Sequence, residues 1–290
     1  MSIKNLYEIS SLVTKRQNAN QLFIADNEEF EVSLKYKRLI EGITQEKWKT
    51  DEDAKVDLYG GNSGTKTFEM LKSRAKDRLV SLIFQSDANK LFENPIEKAL
   101  FSASRSYLTG LMLFNRMKLS SGQEQLKLSL KIAREFQFYD LQILILRQLR
   151  KYSSFSGNEK SFLKYSKEMI EVQKCLNAEI EAEGLDLEVQ TPLVNSVHIS
   201  DSWIESLRKN LERVSVLSQN YNSFQIKVYF YKLSVRLHQA NDDYRKAIGM
   251  IEQYQMFLKS NPKFNVRARN ANAAVNKLYC ALFMKDYQLG

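Results

Sequence analysis

A glycine-rich stretch, residues 59–67, is the first candidate for chemistry, because it resembles a phosphate-binding loop. It reads YGGNSGTKT, and its Lys66 and Thr67 fall where such a loop has its lysine and threonine. However, Thr65 replaces the glycine that lets the backbone approach a phosphate, and residues 54–58 are too polar for a buried strand. We therefore predict a connector between two helices and expect no nucleotide cofactor.

Histidine and cysteine offer little for metal binding or catalysis. His198 and His238 have no Cys, Asp or second His nearby at ligand spacing. Cys175 and Cys280 are far apart, each inside a helical pattern, and are interpreted as small core residues. Two such cysteines form neither a disulfide framework nor a zinc pattern, and they fit a reducing compartment.

Carboxylates cluster at one place, residues 179–188, where Glu179, Glu181, Glu183, Asp186 and Glu188 alternate with other residues. This spacing scatters the side chains around a helix, so a solvated helix end is favoured over a cation site. No nucleophile–base set stands out elsewhere. We therefore predict a protein that is not an enzyme, with no catalytic residues, no metal and no cofactor.

Positive charge is concentrated in the last third of the chain. Of a formal net charge of +9, residues 196–290 carry +7, from 14 basic and 7 acidic side chains. A basic region of this size favours acidic partners, either phosphates or carboxylate-rich peptides. The alternative is a lysine-rich surface that only supports solubility.

Composition favours an all-α protein. The 290 residues include 10 Gly and 3 Pro, too few for a chain of many tight turns, while 43% hydrophobic residues can bury a large core. The densest apolar run, residues 141–146, is far shorter than the ~20 residues of a membrane span, and the N-terminus has no signal-peptide pattern. We expect a cytoplasmic protein without membrane contact.

Apolar spacing of three and four predicts amphipathic helices in two domains. Residues 1–94 form a small N-terminal helical domain, and Asn94-Pro95 starts the next helix with a capping residue before a proline. Residues 95–290 form helix pairs of roughly 40 residues, typical of an α-solenoid, with 184–199 interpreted as a loop. The predicted helices are 3–22, 28–41, 51–59, 67–85, 96–118, 122–138, 139–155, 159–183, 202–219, 223–240, 242–259 and 265–284.

The C-terminal stretch, about residues 228–290, resembles a degenerate tetratricopeptide repeat. Phe230, Leu233, Ser234 and Leu237 are followed by the sequence DYRKAI at 243–248 and by Asn261-Pro262. A second partial copy echoes this at 277–278 and 286–287. The resemblance implies paired antiparallel helices whose small residues allow close approach.

The resemblance also implies a groove, since related repeat proteins hold acidic peptides with Lys, Arg and Asn side chains. We therefore predict a scaffold or sensor module whose basic, tyrosine-rich concave face binds an acidic peptide or protein segment. A helical nucleic-acid-binding protein using the same surface is the alternative, because aromatic and basic residues interleave at 221–236. The predicted partner-binding residues are Tyr231, His238, Arg267, Arg269, Asn270, Asn276 and Lys277.

The end of the sequence suggests an incomplete last repeat. Residues 286–290 stop where a second helix would begin, which would leave Phe283 and Leu289 at an open end. The sequence therefore predicts a chain that continues or is truncated beyond residue 290, or a homodimer through that end. A sensor arm attached to a later effector domain is a further interpretation.

Overall fold

The computed structural model describes residues 2–14, 30–60, 65–195 and 200–284. Every regular element in these ranges is helical: thirteen α-helices and one short 3-10 helix, Pro262–Phe264, with no strand among them. The predicted all-α class is confirmed. The chain divides into two compact units, Met1–Glu93 (unit 1) and Asn94–Gly290 (unit 2).

Within its described residues, unit 1 contains five helices: α1 (Ile3–Thr14), α2 (Phe30–Thr44), α3 (Asp51–Tyr59), α4 (Thr65–Gln85) and α5 (Ala88–Leu91). The start of α3 is fixed by a capping box, in which the Thr50 side chain and the Asp53 carboxylate each bond the other's backbone N–H. Since α3 is a helix, no strand precedes the glycine-rich stretch. Residues 61–64 of that stretch lie outside the described residues.

The core of unit 1 is built around Trp48. Its indole ring lies directly on Gly42, where an added Cβ would come within 1.9 Å of the ring. The Tyr7 hydroxyl donates to the Trp48 carbonyl at 2.7 Å and accepts from the Trp48 N–H at 2.9 Å, while the indole N–H donates to Asp57. These bonds fix the ring, so position 42 has room only for glycine.

The part of unit 2 that the structure describes contains eight helices. The first begins at the predicted cap, where Asn94 accepts from the Ile96 N–H and Pro95 occupies the first helical position. Each helix packs on the next, and α9 also contacts α11. The helices are α6 (Pro95–Asn115), α7 (Leu119–Glu135), α8 (Tyr139–Phe155), α9 (Glu159–Asn195), α10 (Asp201–Asn220), α11 (Phe224–Ala240), α12 (Tyr244–Ser260) and α13 (Arg267–Met284).

Helix α9 is the main departure from the predicted elements. It spans 37 residues and continues through most of the segment predicted to be a loop at 184–199. Pro192 lies inside the helix, three residues before its last residue, Asn195. Proline has no backbone N–H, so the helix loses one hydrogen bond in its final turn. The buried Ala178, Ala182 and Val189 hold this helix on its neighbours. Residues 196–199, including His198, lie outside the described residues.

A corner at residues 135–138 joins distant parts of unit 2. Gln137 donates to the Asn222 carbonyl at 3.0 Å and accepts from the Phe224 N–H at 2.7 Å. Glu135 pairs with Lys263 at 2.7 Å, and the Phe264 ring stacks on Phe224 at 4.3 Å between centroids. A strict solenoid has contacts between neighbouring repeats only. This 135–138 corner, in contrast, binds one segment 85 residues further along the chain, at Asn222, and another 128 residues further, at Lys263.

Candidate functional site

A cavity of about 300 Å³ opens between α11, α12 and α13 of unit 2. Its lining is basic and aromatic, and among the described residues no Asp, Glu or His takes part in it. We call it the α11–α13 cavity. Its lining residues are Gln225, Val228, Tyr229, Tyr231, Lys232, Val235, Arg236, Ile251, Tyr254, Ala268, Arg269, Asn272, Ala273 and Asn276.

Arg269 is the half-buried cation of this cavity. Its guanidinium lies over the Phe224 ring, 4.7 Å from the ring centroid. It donates one hydrogen bond to the Phe264 carbonyl at 2.7 Å and another to the Gln225 side chain at 3.2 Å. These partners are neutral, and none of the described carboxylates pairs with it. Burial lowers the pKa of Arg269 from its ordinary value, yet a guanidinium stays charged at neutral pH. The cavity therefore contains a positive charge without a counter-charge.

Lys232 and Arg236, one turn apart on α11, supply the other two cations. Both bind Asp186 of α9, with Lys232 Nζ 2.6 Å from Oδ2 and Arg236 NH1 3.0 Å from Oδ1. Asp186 is only 2% exposed and also accepts from Gln190. The carboxylate thus holds both cationic side chains at the cavity wall and neutralises one of their two charges.

Three tyrosines complete the aromatic part of the lining. The Tyr231 and Tyr254 rings lie 5.5 Å apart between centroids. Burial raises the pKa of Tyr229, Tyr231 and Tyr254 above the ordinary value, while a hydrogen bond from Gln225 opposes this at Tyr229 and the charge of Arg269 opposes it at Tyr254. All three hydroxyls are therefore neutral at pH 7 and can donate hydrogen bonds.

The α13 wall contributes amides. The Asn276 side chain donates to the Asn272 carbonyl at 2.9 Å and to its side-chain oxygen at 3.2 Å. From α11, Gln239 approaches Asn276 Oδ1 at 3.4 Å. These side chains hold each other in place, so this wall offers fixed polar groups to an occupant.

The seven residues predicted to bind a partner divide into two groups. Tyr231, Arg269 and Asn276 line the α11–α13 cavity. The other four lie outside it: Arg267 is exposed at the start of α13, Asn270 donates to Asn265 and to the Val266 carbonyl, Lys277 pairs with Glu252, and His238 lines a shallow depression beside Phe230.

Helix periodicity explains the position of His238. His238 follows Tyr231 by seven residues, and at about 100° per residue this is about 20° short of two full turns of α11. His238 therefore lies close to Tyr231 around the helix, but on the opposite side of Tyr231 from Lys232. That side faces Leu211 of α10 and Met250 of α12 rather than α13. The sequence interpretation placed His238 in the groove with Tyr231, and the structure places it just past the edge.

The sequence predicts that the acidic stretch at 179–188 is a solvated helix end, and the structure shows that this prediction is wrong. Glu179 accepts from Ser223 at 2.6 Å, Glu181 binds Arg213, and Glu188 accepts from Asn210. With Asp186, these carboxylates join α9 to α10 and α11. The described residues include no group of His, Cys, Asp and Glu side chains that could hold a metal ion.

The sequence interpretation missed most of the cavity's charge. Lys232 and Arg236 were not proposed as site residues, although their spacing of four places them on one face of α11 with Val228 and Val235. This spacing of four is the feature of the sequence that could have identified both residues as neighbours in one site. Asp186 could not be assigned to the site, because it is supplied by a helix that was predicted to end at residue 183.

Cysteine placement agrees with the core interpretation for one residue and partly for the other. Cys280 is fully buried beside Val235 and Ala273, while Cys175 is half-buried against the core of α8 and α9. Both are free thiols. Burial raises the pKa of the Cys175 thiol, so it is less reactive than an exposed cysteine.

Comparison of the chain with models of known protein families, with curated proteins and with solved structures finds no match. No helix in the described ranges is long and apolar enough to cross a membrane. The geometry of the cavity therefore carries the functional argument.

Proposed function

We propose that the chain is a non-enzymatic protein-interaction module, and that unit 2 binds an acidic peptide or protein segment at the α11–α13 cavity. The observation that carries this proposal is a cavity lined by three cations and three tyrosines, with no acidic side chain among its described lining residues. Arg269 has no counter-charge among the described residues, and an incoming carboxylate would supply one. The tyrosines would add contact area and O–H donors.

We further propose that the helix hairpins of unit 2 are tetratricopeptide-like and that the protein works in the cytoplasm. Successive helices pack in order, and Ser234 and Ala247, the small residues of the repeat pattern, are both buried between helices. Free cysteines are consistent with a reducing compartment. The 135–138 corner adds long-range contacts to such an array, which otherwise has contacts between neighbouring repeats only.

Fluorescence anisotropy with a labelled twelve-residue peptide of alternating Glu and Ala tests this proposal. We expect Arg269→Gln to weaken binding at least tenfold, because the variant removes the charge that lacks a partner. Arg267→Gln is the matched control, since Arg267 lies on the same helix but outside the cavity. Equal loss in the two variants would show that only general surface charge is involved.

The alternative function, nucleic-acid binding, is tested in the same titration with labelled single-stranded DNA and RNA. Phosphate contacts release counterions, so such binding would fall steeply between 50 and 200 mM salt. If the nucleic acids bind and the peptide does not, the peptide proposal is wrong and the basic surface is a nucleic-acid site.

A further inference from the structure

The charges at the α11–α13 cavity do not balance. Lys232, Arg236 and Arg269 are positive, and among the described residues Asp186, behind the wall, is the one carboxylate paired with them. The formal charge at the site is therefore +2. A single carboxylate would neutralise half of it, whereas one phosphate monoester at pH 7 carries nearly two negative charges.

Donor geometry points in the same direction. Arg269 uses one N–H on the Phe264 carbonyl and one on Gln225, which leaves three of the five N–H groups of its guanidinium without another described partner. Arg236 gives one N–H to Asp186. Guanidinium forks match the oxygens of a phosphate in pairs, and a phosphate presents three strong acceptors.

The cavity volume limits what can enter. About 300 Å³ is at the lower end of the range for small-ligand sites, enough for one substituted side chain but too small for a folded segment. The apolar Val228, Val235 and Ile251 line the same space and would contact the carbon atoms that carry the phosphate.

We propose that the α11–α13 cavity recognises a phosphorylated side chain within the acidic segment that unit 2 binds. This inference rests on the proposed function and specifies its ligand. Arg269 and Arg236 bind the phosphate oxygens, Lys232 adds charge, and the tyrosine hydroxyls donate from the α11 and α12 walls. Asp186 keeps Lys232 and Arg236 in position and reduces the repulsion between their two charges.

The pH dependence is specific to a phosphate. Its second pKa is about 6, so the ligand loses most of one negative charge between pH 7.5 and 5.5. Burial raises the pKa of the three tyrosines, away from this range. Asp186, Glu179 and Glu183 on α9 are the acidic groups near Tyr229, and their charges bear on every peptide bound at the cavity. The ratio of affinities between two peptides removes the effects that both peptides share, and Glu179→Gln measured in parallel separates the contribution of Glu179 from that of the ligand.

The experiment measures anisotropy with three labelled twelve-residue acidic peptides that differ only at the central position: Ser, Glu or phosphoserine. We expect the phosphoserine peptide to bind at least tenfold more tightly than the Glu peptide at pH 7.5, and this ratio to fall toward pH 5.5. Arg269→Gln should abolish the ratio, while Arg267→Gln should preserve it. Circular dichroism melting verifies that both variants fold.

Free phosphoserine and inorganic phosphate, used as competitors, identify the source of the phosphate. Displacement only at millimolar concentration supports a phosphorylated segment, whereas displacement as strong as that by the phosphopeptide overturns it in favour of a small phosphorylated ligand. Equal affinity of the Glu and phosphoserine peptides, lost in Arg269→Gln, overturns this inference and leaves the proposed function standing. If no peptide binds, both are wrong.

Discussion

At the scale of single residues, Glu179 combines burial with like charges. It lies on α9 among side chains of α8 and α11, and burial raises its pKa above the ordinary 4.5, with Asp140 and Glu183 raising it further. A hydrogen bond from Ser223 opposes this shift. Unlike most paired carboxylates, Glu179 therefore lowers the stability of the fold once it is ionised.

This gives a pH-dependent prediction for Glu179→Gln. Because the folded-state pKa lies above the unfolded value, the folded chain holds the proton more tightly, and stability falls as pH rises through the range above 4.5. The variant lacks this loss, so its melting temperature relative to the unaltered protein should increase from pH 4.5 to pH 8. Glu124→Gln, at an exposed position of α7, is the control and should show no such trend. A difference that stays constant with pH would contradict the assignment.

Single residues of the site were partly accessible from the sequence. The repeat resemblance led to Tyr231, Arg269 and Asn276, which share the α11–α13 cavity. It also led to Arg267, which is two positions from Arg269 and so on another side of α13. Which side of a helix faces a cavity depends on the neighbouring helices, and a spacing pattern alone does not supply them.

At the scale of elements, α6 and α7 of unit 2 approach each other closely at two glycines. A Cβ added to Gly122 of α7 would lie 3.1 Å from the Gly110 carbonyl oxygen and 3.3 Å from the Phe114 N, both backbone atoms of α6. Backbone atoms do not move aside as flexible side chains do. The α6–α7 pair therefore depends on the absence of a side chain at this position.

We expect Gly122→Ala to lower the free energy of unfolding by about 1–3 kcal/mol, as overpacking does elsewhere. Gly249→Ala is the matched control, because Gly249 lies inside α12 with open space around its Cα. There the alanine should raise stability by about 0.5–1 kcal/mol through helix propensity. Chemical denaturation measures both, and a stabilised Gly122→Ala would show that α6 and α7 are further apart than described.

Helix bounds were predictable where local signals are strong. The bounds 51–59 and 139–155 were predicted as found, the first from a capping threonine with three acids after it. The predicted end of α9 at residue 183 was wrong, because weak apolar periodicity and Pro192 are usual signs of a loop. Here the buried contacts of Ala182 and Val189 outweigh one missing hydrogen bond.

At the scale of the whole molecule, each unit has its own buried core. In unit 1, Ile3, Leu6, Leu39 and Leu79 form one cluster with Trp48. Unit 2 has clusters along α6–α13 that are linked to one another, because α9 and α11 each contribute residues to more than one of them. Separate cores favour separate cooperative transitions.

We therefore expect calorimetry to resolve two unfolding transitions that respond to different variants. Gly42→Ala drives a Cβ into the Trp48 ring and should destabilise unit 1 by about 3 kcal/mol, shifting one transition only. Gly122→Ala should shift the other. A joint shift of both transitions in either variant would mean that the chain unfolds as one body.

The contacts of the 135–138 corner have a mechanical consequence. In an array held only by contacts between neighbouring repeats, pulling on the C-terminal end would unfold one hairpin after another, in a series of small extension steps. In unit 2, removing α12 and α13 must also break the Glu135–Lys263 pair and the Phe224–Phe264 stack. Because Gln137 also binds the start of α11, a force applied at residue 284 is transmitted through these contacts to the end of α7 before the hairpins separate. Optical-trap extension should therefore give one large rupture for these helices.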